Sequence, residues 1–425
     1  MPRIVACLLV LLVTPAAPAW SQWPITSCTT LGKNLFVRDV MTDLYFWYTE
    51  VPGLNPSDFD SPEAYLDAVR FRPLDSTFSY ITSREANDAF FDDSAYIGFG
   101  FSTQIAGGEM RILQVFPDSP ASEAGLVRGA RILAIGGRPV GDLIAEGAID
   151  SALGPAEADA AATFEFTAAG ETRTARLVKR VVTIPTVSLT RRYEVDGRRV
   201  GYIFFRNFVR PSNDALDVAF AELTASGVDD LVIDMRYNGG GLVNVARHLA
   251  SLVGGARTRD QVFARYVHND RNIRRNQTLR FESTEGSQGF ERLIVITTRS
   301  SASASELVIN ALRPFIPVIV VGDRTYGKPV GQYQVNFCDK MLAPVSFTVR
   351  NANDEGDYFD GLPADCVAAD DIERELGDPA EDSLREALMF AATGACTRRP
   401  AGLQRRAEPR REPRARGWQS LLNAY

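Results

Sequence analysis

Leu231-Val232-Ile233-Asp234-Met235 runs directly into Arg236-Tyr237-Asn238-Gly239-Gly240-Gly241 and then into an apolar-periodic stretch, Val243 to Val253. A short apolar run closed by glycines predicts a buried strand, and the periodic stretch after it predicts a helix. The pattern repeats on both sides. Upstream are a strand, Val200 to Phe205, and a helix, Ala215 to Ala225, ended by Gly227. Downstream are a strand, Leu293 to Thr297, a helix, Glu306 to Leu312, stopped before Pro314, and a strand, Val318 to Val321. Alternation of this kind predicts an α/β domain over residues 184–396.

The flanking regions read differently. Residues 23–92 predict a helical amino-terminal domain. Phe36, Val37, Val40, Met41, Leu44 and Tyr45 recur at helical spacing, and Ser61 caps a second helix with Pro62 in its first turn. Residues 93–183 predict short strands with turns. Residues 1–22 read as an export signal, with ten apolar residues from Ile4 to Val13 and an Ala17-Pro18-Ala19 cleavage-like site. That run is too short to span a bilayer, and no later one is longer, so no integral membrane span is expected. The expected location is periplasmic or extracellular. Cys28 lies in a sequence resembling a lipoprotein acceptor, but a polar, Pro-containing stretch separates it from the apolar run, which counts against lipidation.

Composition narrows the chemistry. The 425 residues carry a formal net charge of −7, which argues against nucleic acid as a partner. The tail from Thr397 to Tyr425 is net +6, with eight Arg, and reads as disordered. The only histidines are His248 and His268, so a Ser-His-Asp triad or a multi-His metal centre has almost nothing to draw on. His248 is expected to be a satisfied structural residue and His268 a surface residue. Four cysteines remain after the signal, which favours two disulfides in an exported chain. Of the three pairings, Cys338–Cys366 and Cys28–Cys396 are preferred.

Three segments at the carboxyl ends of strands can carry chemistry. Asp234 to Gly241 offers bare N–H groups to an oxyanion. Ser300-Ser301-Ala302-Ser303-Ala304-Ser305-Glu306 places small side chains at a helix start, although Ser303-x-x-Glu306 also reads as a capping box. Gly322 to Lys328 fits the phosphate-loop spacing, but Pro329 stands where a Ser/Thr hydroxyl would hold magnesium, and strand alternation follows. No cofactor and no metal are expected. A helix of about ten residues advances roughly 15 Å, and the next strand returns by a similar distance, which brings Lys328 back beside Ser303. A lysine in a dry crevice at a helix N-terminus has its charged form disfavoured, so a Ser–Lys dyad needs no histidine.

The string Ser301 to Glu306, Gly327-Lys328 beyond it, and Asp234-x-Arg236-x-Asn238-x-Gly240-Gly241 upstream resemble the C-terminal processing (tail-specific) serine peptidases. Residues 93–183 resemble a bacterial PDZ domain, in Ser119-Pro120-Ala121, Ala124-Gly125-Leu126 and Ile132 to Gly137, with Ala130 where Asp is usual. The resemblance implies an α/β multidomain protein: an N-terminal helical segment, a β-rich PDZ domain and a crotonase-like α/β catalytic domain. It implies a serine endopeptidase acting on polypeptides with apolar C-termini. Ser303 would be the nucleophile, Lys328 the general base and Gln332 the residue that steadies it. The N–H groups of Ala304 and of Gly239 or Gly240 would form the oxyanion hole, and the Gly98-Phe99-Gly100-Phe101 loop would hold the peptide carboxylate. Pro329 and Gly331 depart from the family pattern. Four residues of straight strand separate side chains by about 13 Å, so Gln332 reaches Lys328 only if these residues bend the chain. A non-catalytic peptide-binding scaffold of the same fold is the alternative, followed by a Ser–Lys hydrolase of non-peptide envelope material.

Overall fold

The computed structural model describes residues 23–397, apart from residues 169, 284–286 and 288. The expected export signal and most of the Arg-rich tail lie outside the described residues.

The body is built on a six-stranded sheet. Its order is Val187–Val195, Arg198–Phe205, Asp230–Asp234, Leu293–Thr297, Val318–Gly322 and Cys366–Val367. The first pair is antiparallel and the rest are parallel. Side chains alternate between faces, so each strand feeds two cores. Ile203, Leu231, Ile233, Val295 and Val320 pack under the helices Ser212–Ala225, Val243–Gly254 and Ala304–Leu312. Tyr202, Val232, Ile294 and Val321 pack under the helix Asp382–Thr393. Burial on both faces explains the unbroken apolar runs in the sequence.

Residues 101–178 form a separate antiparallel sheet, with Phe101–Ala106 at one edge, then Glu109–Val115, Arg131–Ile135, Ala161–Ala168 and Glu171–Val178. Arg128 ties this unit to the body, donating to the Tyr237 hydroxyl at 2.7 Å and to Asp370 at 2.9 Å. Asp370 also pairs at 2.9 Å with the buried Arg236, which is held by Asp234 and Glu381 as well.

The amino-terminal helices, Thr30–Asp43 and Pro62–Val69, start at the caps Thr29 and Ser61. They share a core with the body: Phe36, Val40, Leu44, Tyr65 and Phe78 pack with Val330, Phe337, Leu342 and Val345. The strand Tyr80–Ser83 joins Lys340–Ala343, which also pairs with Val335–Phe337.

The disulfides are Cys28–Cys338 and Cys366–Cys396, not the preferred Cys338–Cys366 and Cys28–Cys396. Cys338 sits at the tip of the hairpin between Val335–Phe337 and Lys340–Ala343, and the amino-terminal helix docks against that hairpin. Cys366 lies on the far edge strand, beside the end of the last helix. Cys366 is 28 residues from Cys338 and 30 from Cys396, so separation along the chain does not choose its partner; the fold sets Cys338 against the amino-terminal helix and Cys366 beside the last helix.

Candidate active site

Ser303 is the N-cap of the helix Ala304–Leu312 and has φ +55°, ψ −112°. A non-glycine residue held there carries strain, a cost of order 1–3 kcal/mol that its surroundings must over-determine. They do so through the small residues around it. Ser301 Oγ donates to Met235 O at 2.7 Å, Ser305 Oγ to Asn238 O at 2.9 Å, and Ala302 N–H to Asn238 O at 3.1 Å. The Ser-Ala repeat is thus docked onto the glycine loop that follows Asp230–Asp234. Gly240 completes the fit: a Cβ there would lie 2.8 Å from both Ser303 Cβ and Ala304 N.

Lys328 arrives on the loop after Val318–Gly322. It lines a cavity of about 170 Å³ together with Ser303, Ala304, Gly241 and Gln332. Its Nζ donates to Gln332 Oε1 at 2.6 Å. The bend on which the reach of Gln332 depends is present as a register shift between Gly331 and Gln332. Gln332 Nε2 is fixed in turn by Phe78 O at 2.5 Å and Ala343 O at 3.0 Å. Burial pushes the Lys328 amine down to about 8, against the opposing pull of the Asp75 and Glu306 carboxylates. The site therefore offers an amine whose pKa is brought towards neutral pH, in the same cavity as a serine at a helix start.

The glycine loop needs a finer reading than Gly239 or Gly240. Gly240 N–H donates to Asn238 Oδ1 at 2.9 Å, so it is spent within the loop. Phe208 N–H reaches Gly240 O, and Leu242 N–H reaches Phe208 O. That parallel bridge brackets Gly241 and turns its own N–H away from Phe208. Gly241 and Ala304 line the cavity, whereas Gly239 and Gly240 do not. Gly241 stands in the same glycine run, but only the bridge to Phe208, remote in sequence, distinguishes it.

Glu306 was legible only as a capping residue. Its carboxylate does accept the Ser303 N–H, and it also accepts Thr325 Oγ1 at 2.6 Å, Gly327 N–H at 2.7 Å and Lys328 N–H at 2.8 Å. Burial raises its proton affinity while these four donors lower it.

The other expected residues lie elsewhere. In the 98–101 loop, Phe99 and Phe101 are fully buried with Phe164. Gly100 has φ +96°, and a Cβ on it would sit 2.0 Å from Ser119 Cβ. The carbonyls of Phe99 and Gly100 accept Ala121 N–H and Phe116 N–H. Gly98 pairs with Arg180. His248 is bonded to Asp217 at 2.8 Å. His268 is not on the surface as expected. It is buried between Asn276 and Tyr333, because the loop after it folds back under the amino-terminal domain. Neither histidine lines the cavity. Among the described residues no helix is long and apolar enough to cross a membrane.

Residues 199–361 match the family model described as peptidase family S41, and residues 33–80 match the peptidase S41 N-terminal domain. The chain is 29% identical over 259 residues to a chloroplastic C-terminal processing peptidase of Tetradesmus obliquus, covering 57% of this chain and 53% of that protein. It is 28% identical over 269 residues to the carboxy-terminal processing protease CtpB of Bacillus subtilis, covering 63% and 54%. The chain thus spans about half the length of these curated relatives. In fold it resembles a Bacteroides fragilis protein described as an S41 protease, with TM-score 0.67 at 24% identity, covering 85% of this chain and 97% of that one. It also resembles the photosystem II D1 C-terminal processing protease, with TM-score 0.52 at 23% identity, covering 86% and 99%.

Proposed function

The chain belongs to peptidase family S41, and we propose that it is a serine endopeptidase of the C-terminal processing type, cleaving exported polypeptides with a Ser303–Lys328 dyad. The observation that carries this reading is the shared cavity: Ser303 at a helix N-terminus, and Lys328 with its proton affinity lowered to about 8 by burial. The neutral Lys328 amine takes the Ser303 proton as Oγ attacks a peptide carbonyl. The oxyanion faces the N–H groups of Ala304 and Gly241. On collapse the C–N bond breaks and the leaving amine takes the proton from Lys328. Water then hydrolyses the acyl-enzyme by the same steps, with Lys328 again as base. Gln332, gripped by Phe78 and Ala343, holds the amine in place.

Residues 93–183 act as a PDZ domain. Among the described residues the edge strand Phe101–Ala106 pairs with Glu109–Val115 and with no strand on its other side, which suits addition of a substrate tail as a further strand. The amino-terminal export signal directs the chain to the periplasm or the exterior.

A fluorophosphonate probe and an unfolded protein with an apolar tail test the reading together. The expected result is covalent labelling at Ser303, cleavage by the parent protein, and loss of both in Ser303→Ala and Lys328→Ala. Peptide binding without labelling supports the scaffold alternative instead. Labelling with turnover of envelope esters or amides, but not of polypeptides, overturns the substrate class.

A further inference from the structure

The amino-terminal domain reaches into the site through one short segment. Asp75 is fully buried, and its carboxylate accepts the Tyr45 hydroxyl at 2.9 Å, the Ser79 hydroxyl at 2.6 Å and the Ser79 N–H at 2.9 Å. Ser79 Oγ accepts Val345 N–H at 2.9 Å. Between Asp75 and Ser79 the chain presents two parts of Phe78 to the site. Its carbonyl holds Gln332 Nε2, and its ring lies 5.8 Å from Lys328 Nζ. Thr77 meets the Tyr326 hydroxyl at 3.3 Å. Ala343, the second anchor of Gln332, lies two residues before Val345. A closed circuit thus runs from Asp75 through Ser79 to Val345 and Ala343, and from Phe78 and Ala343 into Gln332 and Lys328.

We infer that Asp75 is a positioning residue for the Lys328–Gln332 pair, acting through Ser79 and the Phe78 carbonyl, so that the amino-terminal domain completes the active site. The inference rests on the peptidase reading for its kinetic consequence. Its electrostatic consequence can be read without turnover, because the Asp75 carboxylate that anchors this segment favours the charged form of Lys328, as Glu306 does. The tyrosines lining the same cavity, Tyr80 and Tyr358, are kept neutral by burial. A carboxylate nearby favours the charged amine, so Asp75 restrains the fall in the Lys328 pKa that burial causes.

The chain has four lysines, Lys33, Lys179, Lys328 and Lys340, so ¹³C-lysine NMR resolves the base directly. In Asp75→Asn the Lys328 signal is expected to titrate roughly one pH unit lower than in the parent, with the other three unchanged. Ser79→Ala is expected to lower kcat about tenfold with little change in KM, and Ser79→Thr to restore much of it. An unmoved Lys328 titration in folded Asp75→Asn overturns the inference. Parental kcat in Ser79→Ala does the same, and this pair decides the matter if Asp75→Asn does not fold. A protein that cleaves nothing defeats the peptidase reading, while the response of Lys328 to Asp75→Asn still decides this one.

Discussion

The backbone N–H of Ser303 and that of Lys328 end on the same atom, Glu306 Oε2, at 2.8 Å each. The proposed nucleophile and base come from different loops, yet one buried carboxylate sets their spacing. In Glu306→Gln an NH₂ must replace one of the two accepting oxygens, and it faces donors on either side. Unmet buried donors cost about 1–3 kcal/mol, and a misplacement near 1 Å costs on the order of 10²-fold in rate. We expect a lower Tm in thermal unfolding and a fall of that order in kcat, with slower probe labelling of Ser303. Parental labelling rates would show that the clamp is dispensable.

The buried Lys328 gives activity a direction in pH. With its pKa near 8, kcat/KM should rise with pH through about 8 and fall off below it, as protonated amine accumulates. Stability follows from the sign of the shift. The folded pKa is below the unfolded value, so the unfolded chain binds the extra proton between about 8 and 10.5. Stability contributed by this group therefore grows as pH rises through that window and is lowest below it. Lys328→Met should abolish turnover yet leave Tm at pH 7 no lower than the parent's. A profile flat from pH 6 to 9 would exclude Lys328 as the base.

Gln332 separates geometry from charge. Gln332→Glu puts a carboxylate against Nζ, which favours the ammonium, and removes the N–H donors that Phe78 O and Ala343 O now receive. Both effects disfavour the neutral amine in its working position. The rising limb of kcat/KM should move to higher pH, with activity at pH 7 reduced about tenfold or more. A limb left in place would mean that Lys328 is steadied without this residue.

Much of this was legible in sequence, for a definite reason. The parallel sheet shows because its strands are buried on both faces, so Leu231 to Met235 and Leu293 to Thr297 read as apolar runs. Ser303 and Lys328 show because chain reversal between a helix and a strand of similar length fixes where the next loop falls. What stayed hidden depends on contacts remote in sequence. Glu306 has local capping chemistry that masks its grip on Gly327 and Lys328. Gln332 is named by the resemblance, but the bulge that carries it to the amine arises from strand pairing, so residue spacing leaves its reach conditional on a bend. Asp75 is more than 250 residues from Lys328, and the cysteine pairing is undecided by proximity, since Cys366 is 28 residues from Cys338 and 30 from Cys396; packing of the elements decides it.

Gly240 tests how closely the glycine loop supports the serine. Its φ of +99° is unfavourable for any residue with a Cβ, and that atom would meet Ser303 Cβ and Ala304 N at 2.8 Å. Gly240→Ala must push the Ser303–Ala304 peptide away or reshape the loop. We expect kcat to drop about 10²-fold, with Tm lowered by a few degrees. Unchanged kinetics would place the serine's support elsewhere.

The Cys28–Cys338 disulfide spans 310 residues and fastens the amino-terminal helix to the hairpin whose second strand ends at Ala343. Ala343 O holds Gln332 Nε2, so the covalent tie lies on the side of the molecule that anchors the base. Removing a native disulfide costs about 2–5 kcal/mol, and loosening this one frees both grips on Gln332. Cys28→Ser with Cys338→Ser should lower Tm and reduce kcat more than KM changes. The pair Cys366→Ser with Cys396→Ser sits on the far edge of the sheet and should lower Tm with kcat preserved at temperatures below unfolding. Non-reducing peptide mapping verifies the two pairings. Equal kinetic losses in the two double variants would show that the disulfides act through general stability alone.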